Sequence, residues 1–187
     1  AVGSEAGELI TTGVKNNLFG GLAGDNLTDA DFNVAIGYTA LSNDTLGSAS
    51  TAVGHATLSQ HNFSSATSTY NTAVGFKAGN VITTGINNTL VGGLAGAALT
   101  TGGGNVASGY QALTTDTLGS QSVAIGYRTL ANQNFDSATN SENTAVGYAA
   151  GVSITTGTAN TLLGNVAGSS ITTGINNTFV GALAGDA

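Results

Sequence analysis

The chain has 187 residues, only 7% of them charged, and ten acidic against three basic residues give a formal net charge of −7. This balance argues against nucleic-acid binding, because neutralising phosphates requires a basic patch. Without cysteine there is neither a disulfide nor a thiolate metal site. No stretch approaches the roughly 20 apolar residues of a membrane-spanning helix, so we expect no membrane insertion.

A short motif, two small or apolar residues followed by glycine, recurs along the whole chain. Successive motif glycines are 17 residues apart in eight cases and 21 apart in two, and the pattern repeats every 72 residues. Residues 33–79 and 105–151 share 29 identities in 47 positions. We therefore interpret residues 1–187 as one segment of a longer fibre, about two and a half copies of a 72-residue unit. The motif glycines are Gly3, Gly20, Gly37, Gly54, Gly75, Gly92, Gly109, Gly126, Gly147, Gly164 and Gly181.

Within each repeat, residue types recur at fixed distances from the motif glycine. Short apolar runs precede the glycine, and many repeats reach a second apolar residue such as Ile82 before a corner such as Thr83-Thr84-Gly85. These runs are too short and too often broken by glycine for helices. Stacking equivalent residues at about 4.8 Å per turn lets neighbouring turns bury each other's apolar sides. The sequence therefore predicts an all-β parallel solenoid with 17-residue turns, every fourth having 21 residues.

Asparagine stands four residues before the motif glycine in most turns. In a stack these side chains form a column, in which amides can hydrogen-bond from turn to turn. Alternatively, each asparagine bonds its own backbone to form a turn, and the two interpretations are compatible. The predicted column is Asn16, Asn33, Asn71, Asn88, Asn105, Asn143, Asn160 and Asn177.

The two residues before the motif glycine are both apolar, as in Leu90-Val91. Neighbouring strand residues face opposite sides, so this pattern predicts a strand that is covered on both faces. One cover is the chain's own core, and the other is most simply a second chain. We expect aspartate at Leu90 or Leu162 to disrupt an apolar seam between chains. Aromatic residues just after the glycine would seal between subunits or stand outside.

The repeats resemble the 17-residue repeats of phage tail-fibre and tail-spike-like proteins. The segments 71–79 (NTAVGFKAG) and 143–151 (NTAVGYAAG) carry the resemblance, and 33–41 and 105–113 carry the Gly-Tyr-x-Ala-Leu form. The chain is more distantly similar to trimeric autotransporter adhesin heads, which are left-handed parallel β-rolls. The 21-residue turns and the Gly-x-x-Ala-Gly variant depart from the simplest pattern. The resemblance implies a parallel homotrimer, possibly joined end to end, in a virion tail fibre or at the extracellular surface.

We therefore expect a structural shaft segment that supports host attachment. The alternative is a receptor-binding head that contacts a host cell-surface glycan. A remote alternative is an ice-binding solenoid, but the paired threonines are adjacent, and only one of each pair can face outward.

The two 21-residue turns add their four residues at the same place. Insertions in a solenoid map to loops on one face, which is often the binding face. The candidate lateral contacts are Asn62 and Phe63 in the first long turn and Asn134 and Phe135 in the second. The alternative, which we favour, is that each phenylalanine folds back over the edge of the core.

Catalytic chemistry is not expected, and neither a cofactor nor a metal site is predicted. A hydrolase would need two carboxylates held together, and nothing in the sequence brings such a pair together. We expect His55 and His61 at the surface, and Asp44 and Asp116 as turn caps. The carboxylates considered are Asp25, Asp29, Asp31, Asp136 and Glu142.

Overall fold

The computed structural model describes residues 1–186, which form an all-β parallel solenoid of about ten turns without a helix. Ten strands make one parallel sheet, in which each strand pairs with its equivalent in the next turn. This confirms the predicted solenoid. The strands of this sheet are β1 (Asn17–Phe19), β2 (Val34–Ile36), β4 (Thr51–Val53), β6 (Thr72–Val74), β7 (Thr89–Val91), β8 (Val106–Ser108), β10 (Val123–Ile125), β12 (Thr144–Val146), β13 (Thr161–Leu163) and β14 (Thr178–Val180).

Two smaller parallel sheets connect each long turn to the turn before it. Strand β3 (Gly47–Ser48) pairs with β5 (Thr67–Ser68), and β9 (Gly119–Ser120) pairs with β11 (Thr139–Asn140). Each long turn is therefore held to its neighbour on a second side of the solenoid.

The register stacks equivalent residues throughout the main sheet. Across a 17-residue turn Ala73 pairs with Leu90, and across a 21-residue turn Ala52 pairs with Ala73. The four extra residues of a long turn therefore leave the sheet register unchanged and are accommodated elsewhere in the turn.

The middle residue of each main-sheet strand faces the core, and its two neighbours face outward. Leu90 is completely buried in β7, whereas Thr89 and Val91 are exposed. The prediction that Leu90 and Leu162 line a seam between chains is therefore wrong. Both lie in the chain's own core, because the side chains that face away from the solenoid belong to the residue immediately before the glycine.

The core is filled by alanines and leucines that alternate between two positions. Where alanine stands two residues before the motif glycine, as in Ala35, a leucine such as Leu41 can stand four residues after it, and both are fully buried. Where leucine stands before the glycine, as in Leu90, the position four after is glycine, here Gly96. A Cβ at Gly96 would lie 2.8 Å from Leu90 Cδ2, so the two positions share one volume.

The corners use left-handed backbone at glycine and at larger residues. The motif glycines have φ near +135°, and at Gly75 (φ +137°) a Cβ would collide with the backbone of Gly92. Two and four residues later, Thr39 (φ 52°) and Leu41 (φ 56°) adopt the same left-handed conformation as their counterparts in other turns. This conformation costs a non-glycine residue roughly 1–2 kcal/mol, which the stacked turns must offset.

Candidate functional site

The outer face of the main sheet carries an apolar column along the solenoid. This outer column consists of the residues immediately before the motif glycines, and eight of its members are 36–65% exposed. Neither the outer column nor the parallel column three residues before the glycine contains a charged side chain. The outer column comprises Val2, Phe19, Ile36, Val53, Val74, Val91, Ser108, Ile125, Val146, Leu163 and Val180.

Two exposed aromatic ladders follow the motif glycines. The first is Tyr38, His55 and Phe76, and the second is Tyr110, Tyr127 and Tyr148. Within each ladder the ring centroids are 5.3–5.7 Å apart and the interplanar angles are 4–28°. Gly21 and Gly93 occupy the equivalent position in other turns and interrupt the column. Because each ring covers its neighbour's face, the ladders present mainly ring edges to solvent.

The structure separates the predicted lateral contacts into exposed amides and covered rings. Asn62 and Asn134 are exposed, and each side-chain oxygen accepts a hydrogen bond from a threonine hydroxyl of the preceding turn, at 3.0 and 2.9 Å. Phe135 is only 5% exposed and Phe63 is half-buried. The rings fold towards the core, and residues 64–66 and 136–138 form the exposed part of each long turn.

The predicted asparagines form one column that bonds mainly to the neighbouring turn. Asn88 Nδ2 donates to Gly102 O at 3.0 Å, and Asn88 Oδ1 accepts from Asn105 N at 3.0 Å. Amide-to-amide bonds also occur, as between Asn160 Nδ2 and Asn143 Oδ1 at 3.0 Å. These asparagines bond turn to turn, and Ser50 and Ser122 complete the column without the amide.

A buried polar pair lies within the core of the first long turn. His61 and Asp44 are both completely buried, with His61 Nδ1 2.6 Å from Asp44 Oδ2. The prediction that His61 is a surface residue is wrong, whereas His55 is exposed as expected. Asp44 Oδ1 also accepts from Gly47 N at 2.9 Å, which confirms the predicted turn cap.

The second long turn contains the equivalent pair with glutamine in place of histidine. Gln133 Nε2 donates to Asp116 Oδ2 at 2.6 Å, and Asp116 Oδ1 accepts from Gly119 N at 2.9 Å. Burial raises the pKa of Asp116, although these hydrogen bonds act in the opposite direction. All four polar residues stand seven positions after a motif glycine, where the neighbouring turns have leucine or isoleucine. Aligning the repeats on that position is the sequence signal that could have revealed both pairs.

The carboxylates considered for hydrolysis are used within the fold or stand apart. Asp29 Oδ1 accepts from the Thr12 hydroxyl at 2.5 Å, and Asp31 Oδ1 accepts from Val14 N at 2.7 Å. Burial, the largest cause, raises the pKa of Asp25. Asp136 and Glu142 are exposed.

The threonine corners use part of their hydroxyls inside the chain. Thr83 Oγ1 donates to Thr100 O at 3.2 Å, and Thr100 Oγ1 donates to Thr117 O at 2.9 Å. The first threonine of each pair thus bonds the next turn, which weakens the ice-binding alternative.

Larger features of a ligand site were also sought. In residues 1–186 there is no pocket, and no group of three or more His, Asp or Glu side chains is placed to hold a metal ion. Over the same residues, no helix is long and apolar enough to cross a bilayer. The candidate functional surface is therefore the exterior of the solenoid.

No protein-family profile, curated protein or solved structure matches the chain.

Proposed function

We propose that this chain is a shaft segment of a trimeric viral tail fibre or extracellular surface fibre and supports host attachment without catalysing a reaction. The observation that carries this proposal is the outer column, an uncharged apolar stripe that runs the length of a ten-stranded sheet. Soluble monomers rarely leave a contiguous apolar stripe of this length open to water.

The occupant of that face is a second copy of the chain. The solenoid is straight enough in register to stack equivalent residues over all ten strands, so parallel copies can place equivalent turns at the same height. Each outer-column residue would then meet an apolar residue of the neighbouring copy. Fully burying one such side chain contributes about 1.5–3 kcal/mol, and the contribution recurs at every turn.

The number of copies rests on the resemblance to trimeric fibre repeats. Three parallel chains around a common axis can each cover one neighbour and be covered by the other, which leaves no exposed outer column. Ten turns at about 4.8 Å each make a rod roughly 50 Å long.

Native light scattering tests the assembly directly. We expect a mass of three chains that does not change on dilution through the micromolar range. A mass of one chain under native conditions would remove the basis for the proposal.

A receptor-binding head is the second candidate, and the exposed aromatic ladders favour it. Tyrosine edges beside the exposed amides Asn62 and Asn134 offer hydrogen-bonding groups next to apolar surface, a combination that suits glycans. A glycan array probed with the assembled fragment distinguishes the candidates. A head gives selective binding that is lost in Tyr127→Ala, whereas a shaft gives none.

A further inference from the structure

We propose that the buried Asp44–His61 pair is a proton-sensitive latch, which holds the first long turn at neutral pH and loosens it on acidification. The equivalent Asp116–Gln133 pair holds the second long turn without this sensitivity. The latch lies inside a single chain, so the proposal does not depend on how many copies assemble.

The hydrogen-bond partners of His61 select one form of its ring. Nδ1 lies 2.6 Å from Asp44 Oδ2, and Nε2 lies 3.0 Å from Asn71 Nδ2. The Asn71 amide cannot be turned over, because its Nδ2 also donates to Gly85 O at 2.8 Å and its Oδ1 accepts from Asn88 N at 2.9 Å. Asn71 therefore presents a donor, and His61 Nε2 must be an unprotonated acceptor. The ring is neutral, with its proton on Nδ1.

The second long turn reproduces this donor and acceptor pattern with a side chain that cannot titrate. Gln133 Nε2 donates to Asp116 Oδ2 at 2.6 Å, and Gln133 Oε1 accepts from Asn143 Nδ2 at 2.9 Å. A glutamine thus donates on one side and accepts on the other, as the neutral His61 ring does. The site therefore requires a residue of this polarity.

A second proton on His61 would break the pattern. It would place an N–H on Nε2 against the Asn71 N–H in a completely buried site, and one hydrogen bond would be lost. Towards Asp44 no hydrogen bond is gained, because Nδ1 already donates there. Asp44 is the ionisable group that faces the ring from the preceding turn. The following turn presents the apolar Ile82 at the equivalent position.

The segment that loosens is the lateral part of the first long turn. The Phe63 ring packs edge-on against the His61 ring, with centroids 4.9 Å apart. Next to His61, the Asn62 amide donates to Thr83 O at 2.9 Å. Losing the histidine contact would therefore free Phe63 and the exposed residues 64–66. Acid would change the exterior of one long turn and leave the other as it is.

Hydrogen exchange provides a matched internal comparison. The Asn62 amide donates to Thr83 O, and its counterpart, the Asn134 amide, donates to Thr155 O, both at 2.9 Å. After correction for intrinsic exchange, acidification from about pH 7.5 to about pH 5.5 crosses the range in which a free imidazole takes up its proton. We expect the protection of the Asn62 amide to fall roughly tenfold, with no change at Asn134.

Two exchanged variants complete the test, and both keep the exposed His55. His61→Gln should protect Asn62 equally at both pH values, and Gln133→His should transfer the acid sensitivity to Asn134. If Gln133→His does not fold, the comparison of the parent with His61→Gln still decides. Equal acid responses of Asn62 in the parent and in His61→Gln would overturn the proposal. So would a gain of protection on acidification, because attraction between imidazolium and Asp44 would then be the stronger effect.

Discussion

Leu90 occupies the core volume that a side chain at Gly79 would need. A Cβ on Gly79 would lie 2.8 Å from Leu90 Cδ1, 2.9 Å from Leu58 Cδ2 and 3.0 Å from Ile82 Cδ1. The same exchange recurs one unit later, where a Cβ on Gly151 would lie 2.7 Å from Leu162 Cδ1. The core is thus packed between turns, with the glycine of one turn making room for the leucine of another.

Gly79→Ala should destabilise the solenoid through overpacking and left-handed strain. The added methyl group meets three buried side chains, and Gly79 has φ +57°. We expect a loss of about 1–3 kcal/mol in the free energy of unfolding, measured by denaturant titration. Gly93→Ala is the matched control, because its Cβ would make ordinary contact with the Tyr110 ring at 3.4 Å. Equal stability of the two variants would contradict this packing.

Val91→Asp should separate the chains while each chain stays folded. Val91 is 40% exposed in the single chain and lies in the outer column, so the charge enters an apolar contact only in the assembly. Light scattering should show the mass falling towards one chain, with the β-type circular dichroism retained. The control Thr84→Asp, at an exposed corner, should leave the mass unchanged.

Leu90→Asp should behave differently from its neighbour Val91→Asp. Leu90 is fully buried in the chain's own core, so an unpaired charge there should unfold the turns around it. Circular dichroism should report a loss of β structure. If Leu90→Asp folds and only dissociates, the assignment of inward and outward residues is reversed.

Phe135→Ala should lower the melting temperature more than Phe63→Ala. Phe135 is 5% exposed and Phe63 is half-buried, so truncation removes more buried contact at Phe135. Phenylalanine-to-alanine changes in a full core cost about 3–5 kcal/mol, and a ring at the core edge should cost less. Scanning calorimetry of the two single variants and the double variant measures the order. Unchanged melting with weakened attachment to a host surface would mean that the rings are contacts.

Asn88→Ala should cost more stability than Asn177→Ala. The Asn88 side chain is completely buried and bonds both neighbouring turns, including Asn105 N. Its loss leaves buried backbone groups unpaired, at a cost of about 1–3 kcal/mol each. Asn177 is part-buried, and its amide donates to Asn160 Oδ1. Chemical denaturation of both variants measures the difference. Equal losses would mean that the amide column contributes little.

Parts of the candidate surface could be predicted from sequence, and others could not. The recurring asparagine and the pairing of apolar residues before glycine predicted the column and a strand with two apolar faces. Which of Leu90 and Val91 faces inward was not predictable, because alternation fixes only that they face opposite sides. The burial of His61 was missed because its partner, Asp44, is 17 residues away and adjacent only through stacking.

The repeat period by itself determined that the chain stacks equivalent residues into a parallel solenoid, because no single turn of this length can bury its own apolar side. Only the tertiary structure decided what each column does. The left-handed corners at residues such as Leu41, the volume shared by Gly79 and Leu90, and the buried polar pairs all depend on contacts between successive turns. A linear sequence separates those contacts by 17 or 21 residues, whereas the solenoid brings them to hydrogen-bonding and van der Waals distance.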